Sequence, residues 1–135
     1  MRTEKYSFTT CHHDEENDIV FMEFPEGLKV NLEKAKVILA SRLAFTHYEK
    51  HYVIIDLSNV REVSSEAKKF MQQRDQGLVN ILGAALIAGN PVATLIANIF
   101  IKTEKEFQAR FFSNHEDALR WIKELKSKRQ DSAVL

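Results

Sequence analysis

The sequence predicts an α/β fold in the order β-β-α-β-α-β-α-β-α, with a mixed sheet that starts as an N-terminal antiparallel hairpin. Three observations carry this. Residues 52–57 (YVIIDL) and 81–88 (ILGAALIA) are short, nearly continuous apolar runs, the pattern of central strands covered on both faces. Segments of helical spacing separate such runs from one another, which demands parallel pairing with right-handed crossovers. Two short strand-like segments near the N-terminus lie so close together that they can pair only as a hairpin.

Each element has its own signature. In residues 6–12, Tyr6, Phe8, Thr10 and His12 alternate with Ser7, Thr9 and Cys11, the period of a half-buried strand. Residues 19–24 form the second strand, and Pro25-Glu26-Gly27 ends it. Asn31 caps a first helix whose Leu32, Ala35, Leu39 and Leu43 recur at helical spacing to about Tyr48. Residues 52–57 follow as a central strand. Ser64 opens a second helix with Ala67, Phe70 and Met71 inward, and Gly77 stands where a left-handed stop would fall. After the strand at 81–88, Asn90-Pro91 starts a third helix with proline in its first turn. Phe107, Ala109 and Phe111 alternate with Gln108 and Arg110, an edge strand with one wet face. Ser113-Asn114-His115-Glu116 has capping-box spacing, and Ala118, Trp121, Ile122 and Leu125 define the inner face of a last helix that frays after about Arg129.

The whole chain, residues 1–135, reads as a single domain with an ordered core at about residues 6–128. Basic and acidic side chains number 19 each, so no net field favours nucleic acid or an anionic membrane, and no nucleic-acid partner is expected. The lone Cys11 rules out an internal disulfide and a multi-cysteine zinc site, and it suits a reducing compartment. Residues 1–5 are not of signal-peptide type, so a cytoplasmic location is expected. No charged side chain lies between Asp75 and Lys102, but Gly89-Asn90-Pro91 breaks that run into a strand and a helix, and no integral membrane segment is expected.

Candidate chemistry is sparse. Cys11-His12-His13-Asp14 alternates across a strand and cannot converge on one metal ion. Gly27, Gly77, Gly83 and Gly89 make no phosphate-binding loop, and no nucleophile stands beside an oriented base, so neither catalytic residues nor a cofactor are assigned and the chain is read as a non-enzyme. In the third helix only Thr94 and Asn98 interrupt an apolar surface. That helix is buried all round, lines an apolar ligand site, or packs on a second copy, with Leu95, Ile96, Ile99 and Phe100 at its centre.

The stretch "VIIDLSNVREVSSEAKKF", crossing from the central strand into the second helix, resembles STAS domains, the fold of sulfate transporters and anti-sigma-factor antagonists. Asp56, Leu57 and Ser58 match the Asp-Leu-Ser of that family. The resemblance places Ser64 on the serine phosphorylated in the bacterial antagonists, and Ser65 on its neighbour. Val63 stands where the family has aspartate and Glu66 where it has glycine. The C-terminal "FQARFFSNHEDALRWIKEL" is similar to the SpoIIAA-like subgroup, related to lipid-exchange (CRAL-TRIO) domains. These resemblances imply a regulatory protein-interaction module with a regulator or kinase-like partner, with Ser64, Ser65 and Glu66 as contact residues and Ser64 as phosphoacceptor. They also imply an alternative, a carrier or sensor of a small apolar ligand or lipid.

Overall fold

The computed structural model describes residues 1–73, 75–91, 94 and 108–134. Along the chain the elements are β1 (Arg2–Lys5), β2 (Thr10–Asp14), β3 (Ile19–Glu23), β4 (Leu28–Val30), α1 (Leu32–Phe45), β5 (His51–Asp56), β6 (Val60–Val63), α2 (Ser65–Gln72), β7 (Ile81–Ile87), β8 (Gln108–Phe112) and α3 (His115–Val134). Pro91 and Thr94 are helical as well, and the Thr94 N–H donates to the Asn90 carbonyl at 2.9 Å, which is the turn predicted after Asn90-Pro91. Leu95, Ile96, Ile99 and Phe100, the centre of that predicted helix, lie outside the described residues.

The main sheet has the order β1-β2-β3-β5-β7-β8. The pairs β3/β5, β5/β7 and β7/β8 are parallel, and β1/β2 and β2/β3 are antiparallel. Each added parallel strand therefore lies on the same side of its predecessor, as a repeated right-handed crossover requires. Along β5 the side chains alternate between two layers. Val53 and Ile55 face the layer of α1 and α2, with Val20, Met22, Ala84 and Leu86 from the flanking strands. Tyr52 and Ile54 face α3, with Ile19, Ala85 and Ile87, and the fully buried Ala118 and Ile122 of the helix close that side.

Several local expectations shift. The hairpin pairs residues 10–14 with 19–23, and Tyr6 to Phe8 form a turn in which the Tyr6 N–H donates to the Thr9 carbonyl at 2.8 Å. An extra edge strand, β1, precedes it; Arg2 fixes that strand by donating to the Phe45 carbonyl at 2.6 Å while its guanidinium lies 4.0 Å from the centre of the Phe45 ring. The cap of α3 is Asn114, one residue beyond the predicted Ser113, with its Oδ1 accepting the Asp117 N–H at 2.9 Å. That helix continues to Val134 rather than ending near Arg129. In β8, Phe112 pairs with Ile87 and so points to the α3 layer, where it packs 5.7 Å from Trp121; Phe111, on the other face, is 43% exposed.

Gly77 is not a helix stop. α2 ends at Gln72, and Gln73 leaves it in an extended conformation. Glycine is required for a different reason, since a Cβ at position 77 would lie 2.6 Å from the Met71 carbonyl oxygen. At Gly83 an added Cβ would meet a Leu125 methyl at 2.6 Å, so the missing side chain lets α3 settle against β7.

The inner face of α1 is Ala35, Ile38, Arg42 and Phe45, which puts a cation in the core. Arg42 is 3% exposed. Its Nη1 donates to the Val79 carbonyl (2.8 Å) and to His51 Nε2 (3.0 Å), and its Nη2 to the Gly77 carbonyl (3.0 Å). His51 Nδ1 donates in turn to the Glu49 carbonyl at 2.9 Å, which leaves Nε2 free to accept from Arg42. The guanidinium thus satisfies backbone carbonyls of the turn before β7 and ties it to α1 and to the start of β5. Burial lowers the Arg42 pKa to about 10, so it stays charged at neutral pH. Burial first, then the charge of Arg42, drives the His51 imidazole down to about 4.

Two consequences can be measured. Gly77→Ala should lose about 1–3 kcal/mol in urea unfolding because backbone must move, whereas Gly89→Ala, which meets nothing within 4 Å, should change stability by less than about 0.5 kcal/mol. His51 must be neutral in the fold but takes up a proton near 6.5 when unfolded, so the protein should lose stability as pH falls from 6.5 towards about 4. Between pH 7 and pH 5 the His51 share of that loss is about 2 kcal/mol, and it should vanish in His51→Gln; an identical drop in both proteins would refute the assignment.

Candidate functional site

The corner between β6 and α2 is built on a two-stranded parallel sheet, in which Leu28 pairs with Val60 and Val30 with Val63. These four apolar side chains are buried in the core between the main sheet and the α1/α2 layer, while Lys29, Arg61 and Glu62 face outward. Burial of β6 on one side fixes where the chain leaves it. The Ser64 N–H donates to the Val30 carbonyl at 2.9 Å, and the Ser64 carbonyl accepts from the Lys68 N–H at 2.9 Å. The Ser64 side chain accepts the Ala67 N–H at 3.1 Å, so Ser64 is the N-cap of α2. Ser64 is half-buried, and Ser65 and Glu66 are exposed at the first two helical positions. All three predicted contact residues therefore meet at one rigid, polar corner.

The Asp-Leu-Ser segment has a structural task at the carboxyl end of β5. Asp56 Oδ1 accepts the Ser58 N–H at 2.9 Å, closing the turn that sends the chain into β6. Its Oδ2 lies 3.0 Å from His115 Nε2 in the first turn of α3, and the His115 ring stacks on Phe21 at 6.4 Å. Burial by itself would raise the Asp56 pKa; the hydrogen bonds from Ser58 and His115 outweigh it and hold the carboxyl below its ordinary range. Sequence reading did not pair these two residues, which are 59 positions apart in the chain. A carboxylate that orients an imidazole is half of a nucleophile-activating set. Among the described residues no hydroxyl or thiol is bonded to His115, and the contact joins the first turn of α3 to the end of β5.

His12 points away from Cys11 and His13, as the strand period requires. Cys11 is fully buried, and burial pushes its thiol up to about 11, away from any thiolate role. His12 lies between Thr3 Oγ1 (2.8 Å) and Glu23 (3.1 Å), and His13 contacts Asp18 at 2.8 Å. No group of three or more potential metal ligands occurs among the described residues. No helix among them is long and apolar enough to cross a membrane.

An apolar cavity of about 70 Å³ lies between the sheet and the α1/α2 layer, lined by residues such as Met22, Ile38, Ile55, Phe70, Met71 and Leu86. An engineered cavity of about 150 Å³ binds benzene. The space here is about half that volume.

No curated protein matches the sequence. The fold is similar to the crystal structure of an uncharacterized protein from the DUF3478 family with a SpoIIAA-like fold, from Shewanella loihica PV-4. The two are 18% identical, with a TM-score of 0.56 over 90% of this chain and 98% of that one. The parallel β3-β5-β7-β8 sheet with its N-terminal hairpin is therefore a SpoIIAA-like, STAS-like fold. A family model described as a domain of unknown function, DUF7793, matches residues 14–126, from the end of β2 well into α3, and the chain belongs to that family.

Proposed function

We propose that the protein is a non-catalytic regulatory module, at work in the cytoplasm, that binds another protein through the β6–α2 corner. The observation that supports this is the corner itself. Ser65 and Glu66 are exposed on a turn whose backbone is held by β4, by the Ser64 cap and by the buried Val63 and Ala67. A surface held in place before contact loses little conformational entropy on binding. The SpoIIAA-like fold is in keeping with this reading, and a kinase-like or regulator partner is the kind the STAS resemblance implies.

Phosphorylation of Ser64 is the regulatory step of the proposal. The phosphate would sit at a helix start, where N–H groups and the dipole receive negative charge, and would change the surface while leaving the helix intact. Glu66, two residues on, adds a fixed carboxylate to the same turn and opposes that charge. The carrier alternative, by contrast, rests on Leu95, Ile96, Ile99 and Phe100, which lie outside the described residues. A homodimer through that same helix belongs with the alternative.

Ser64→Ala should cost about 1 kcal/mol of stability through loss of the cap, with Ser64→Asp restoring most of it. Intact mass of protein purified from its own host should show a phosphate adduct that Ser64→Ala removes. An unmodified mass under every growth condition removes the phosphorylation step. A partner that binds Ser65→Arg/Glu66→Arg as well as it binds the wild type removes the corner.

A further inference from the structure

The amino ends of the parallel strands carry a groove of a different character. It has a volume of about 350 Å³, with Tyr52, Leu82 and Gln108 from the starts of β5, β7 and β8 on one side and Trp121, Leu125 and Arg129 of α3 on the other. A second hollow of about 260 Å³ shares Tyr52, Leu82 and Arg129 and reaches Asp18, Lys50 and Lys126. The 350 Å³ of the first falls in the range of about 300–1,000 Å³ common for small-molecule sites.

The charges around it are unevenly used. Lys126 is committed, since its Nζ donates to the Asn17 carbonyl at 2.6 Å and to the Asp18 carbonyl at 3.2 Å, and lies 3.7 Å from the Asp18 carboxylate. Asp18 is also held by His13 at 2.8 Å. The side chains of Lys50, Lys128 and Arg129 make no hydrogen bond or ion pair with any described residue. The helix dipole does not account for the last two: α3 continues to Val134 and its final turn holds no basic residue, so Lys128 and Arg129 stand upstream of the turn where the dipole acts. Lys50 comes from a separate loop. In a chain of zero net charge, three cations from two elements, none paired with a described residue, flank these two adjoining hollows, opposed there by Glu124 and the already paired Asp18.

We propose that this groove binds a small organic anion with a flat ring. The cations would take the anionic group, and Tyr52, Trp121 and the two leucines would cover the ring. The site lies on the opposite face of the sheet from α2, and it stands or falls independently of the β6–α2 corner.

Trp121 is the chain's single tryptophan and forms a wall of the groove, so its emission reports occupancy directly. Titration of the full chain with anilinonaphthalene sulfonate should quench that emission saturably, and the uncharged N-phenylnaphthylamine should bind about tenfold more weakly or worse. Lys128→Glu/Arg129→Glu should weaken the sulfonate by about tenfold or more with an unchanged circular dichroism spectrum, and Lys50→Glu, on another element, should act in the same direction. Equal affinity for the charged and uncharged probes overturns the proposal. So does wild-type affinity in both the α3 and the Lys50 variants.

Discussion

Everything in this protein is placed by the double-sided burial of β5. Its backbone is paired in parallel with β3 and β7, and its side chains feed both the α1/α2 layer and the α3 layer. A strand so enclosed has only its two ends left for chemistry. The carboxyl end gives Asp56, the turn into β6 and hence the Ser64 corner. The amino end gives His51, the Arg42 network and the groove beside Tyr52. This is the usual consequence of an open parallel sheet, in which strand ends and the loops leaving them hold the accessible polar groups.

The two ends are built by different forces. At the carboxyl end the interactions are exposed or half-exposed polar contacts, such as the Asp56–His115 pair, in which His115 is 59% exposed and therefore contributes little stability. Position there comes from hydrogen bonds to backbone, at Ser58 and at Ala67. At the amino end a guanidinium is buried among neutral acceptors, with carbonyl dipoles and one imidazole nitrogen in place of a carboxylate. Withdrawing that charge from water is costly, and the cost is offset only while all three partners remain in place, which makes the Arg42 network a specific lock on topology.

Much of the site was legible in the sequence and some was not. Ser64 as a cap could be read because the signal is local: a serine before an apolar helical repeat, with the bonded N–H three residues on. Arg42 could not, because a charged residue within an amphipathic helix reads as solvent-facing, and only three distant acceptors at Gly77, Val79 and His51 reverse that reading. The β4/β6 pair escaped for a related reason. Each strand is only three or four residues long, too short to show a period, and exists because the partner lies beside it. The Asp56–His115 pair and the groove of Lys50, Lys128 and Arg129 join residues from separate elements, so no spacing along the chain announces them.

The sequence by itself determined the alternation of strands and helices, the antiparallel start, the parallel centre and the capped entry into α2, because periodicity, capping and short-range turn chemistry act between residues a few positions apart. The tertiary structure alone decided which face of α1 turns inward, why Gly77 must lack a side chain, and which polar groups gather at the two ends of the sheet. Those outcomes depend on what packs against what across the core. Close packing and the satisfaction of buried polar groups are properties of the assembled layers, not of any stretch within them.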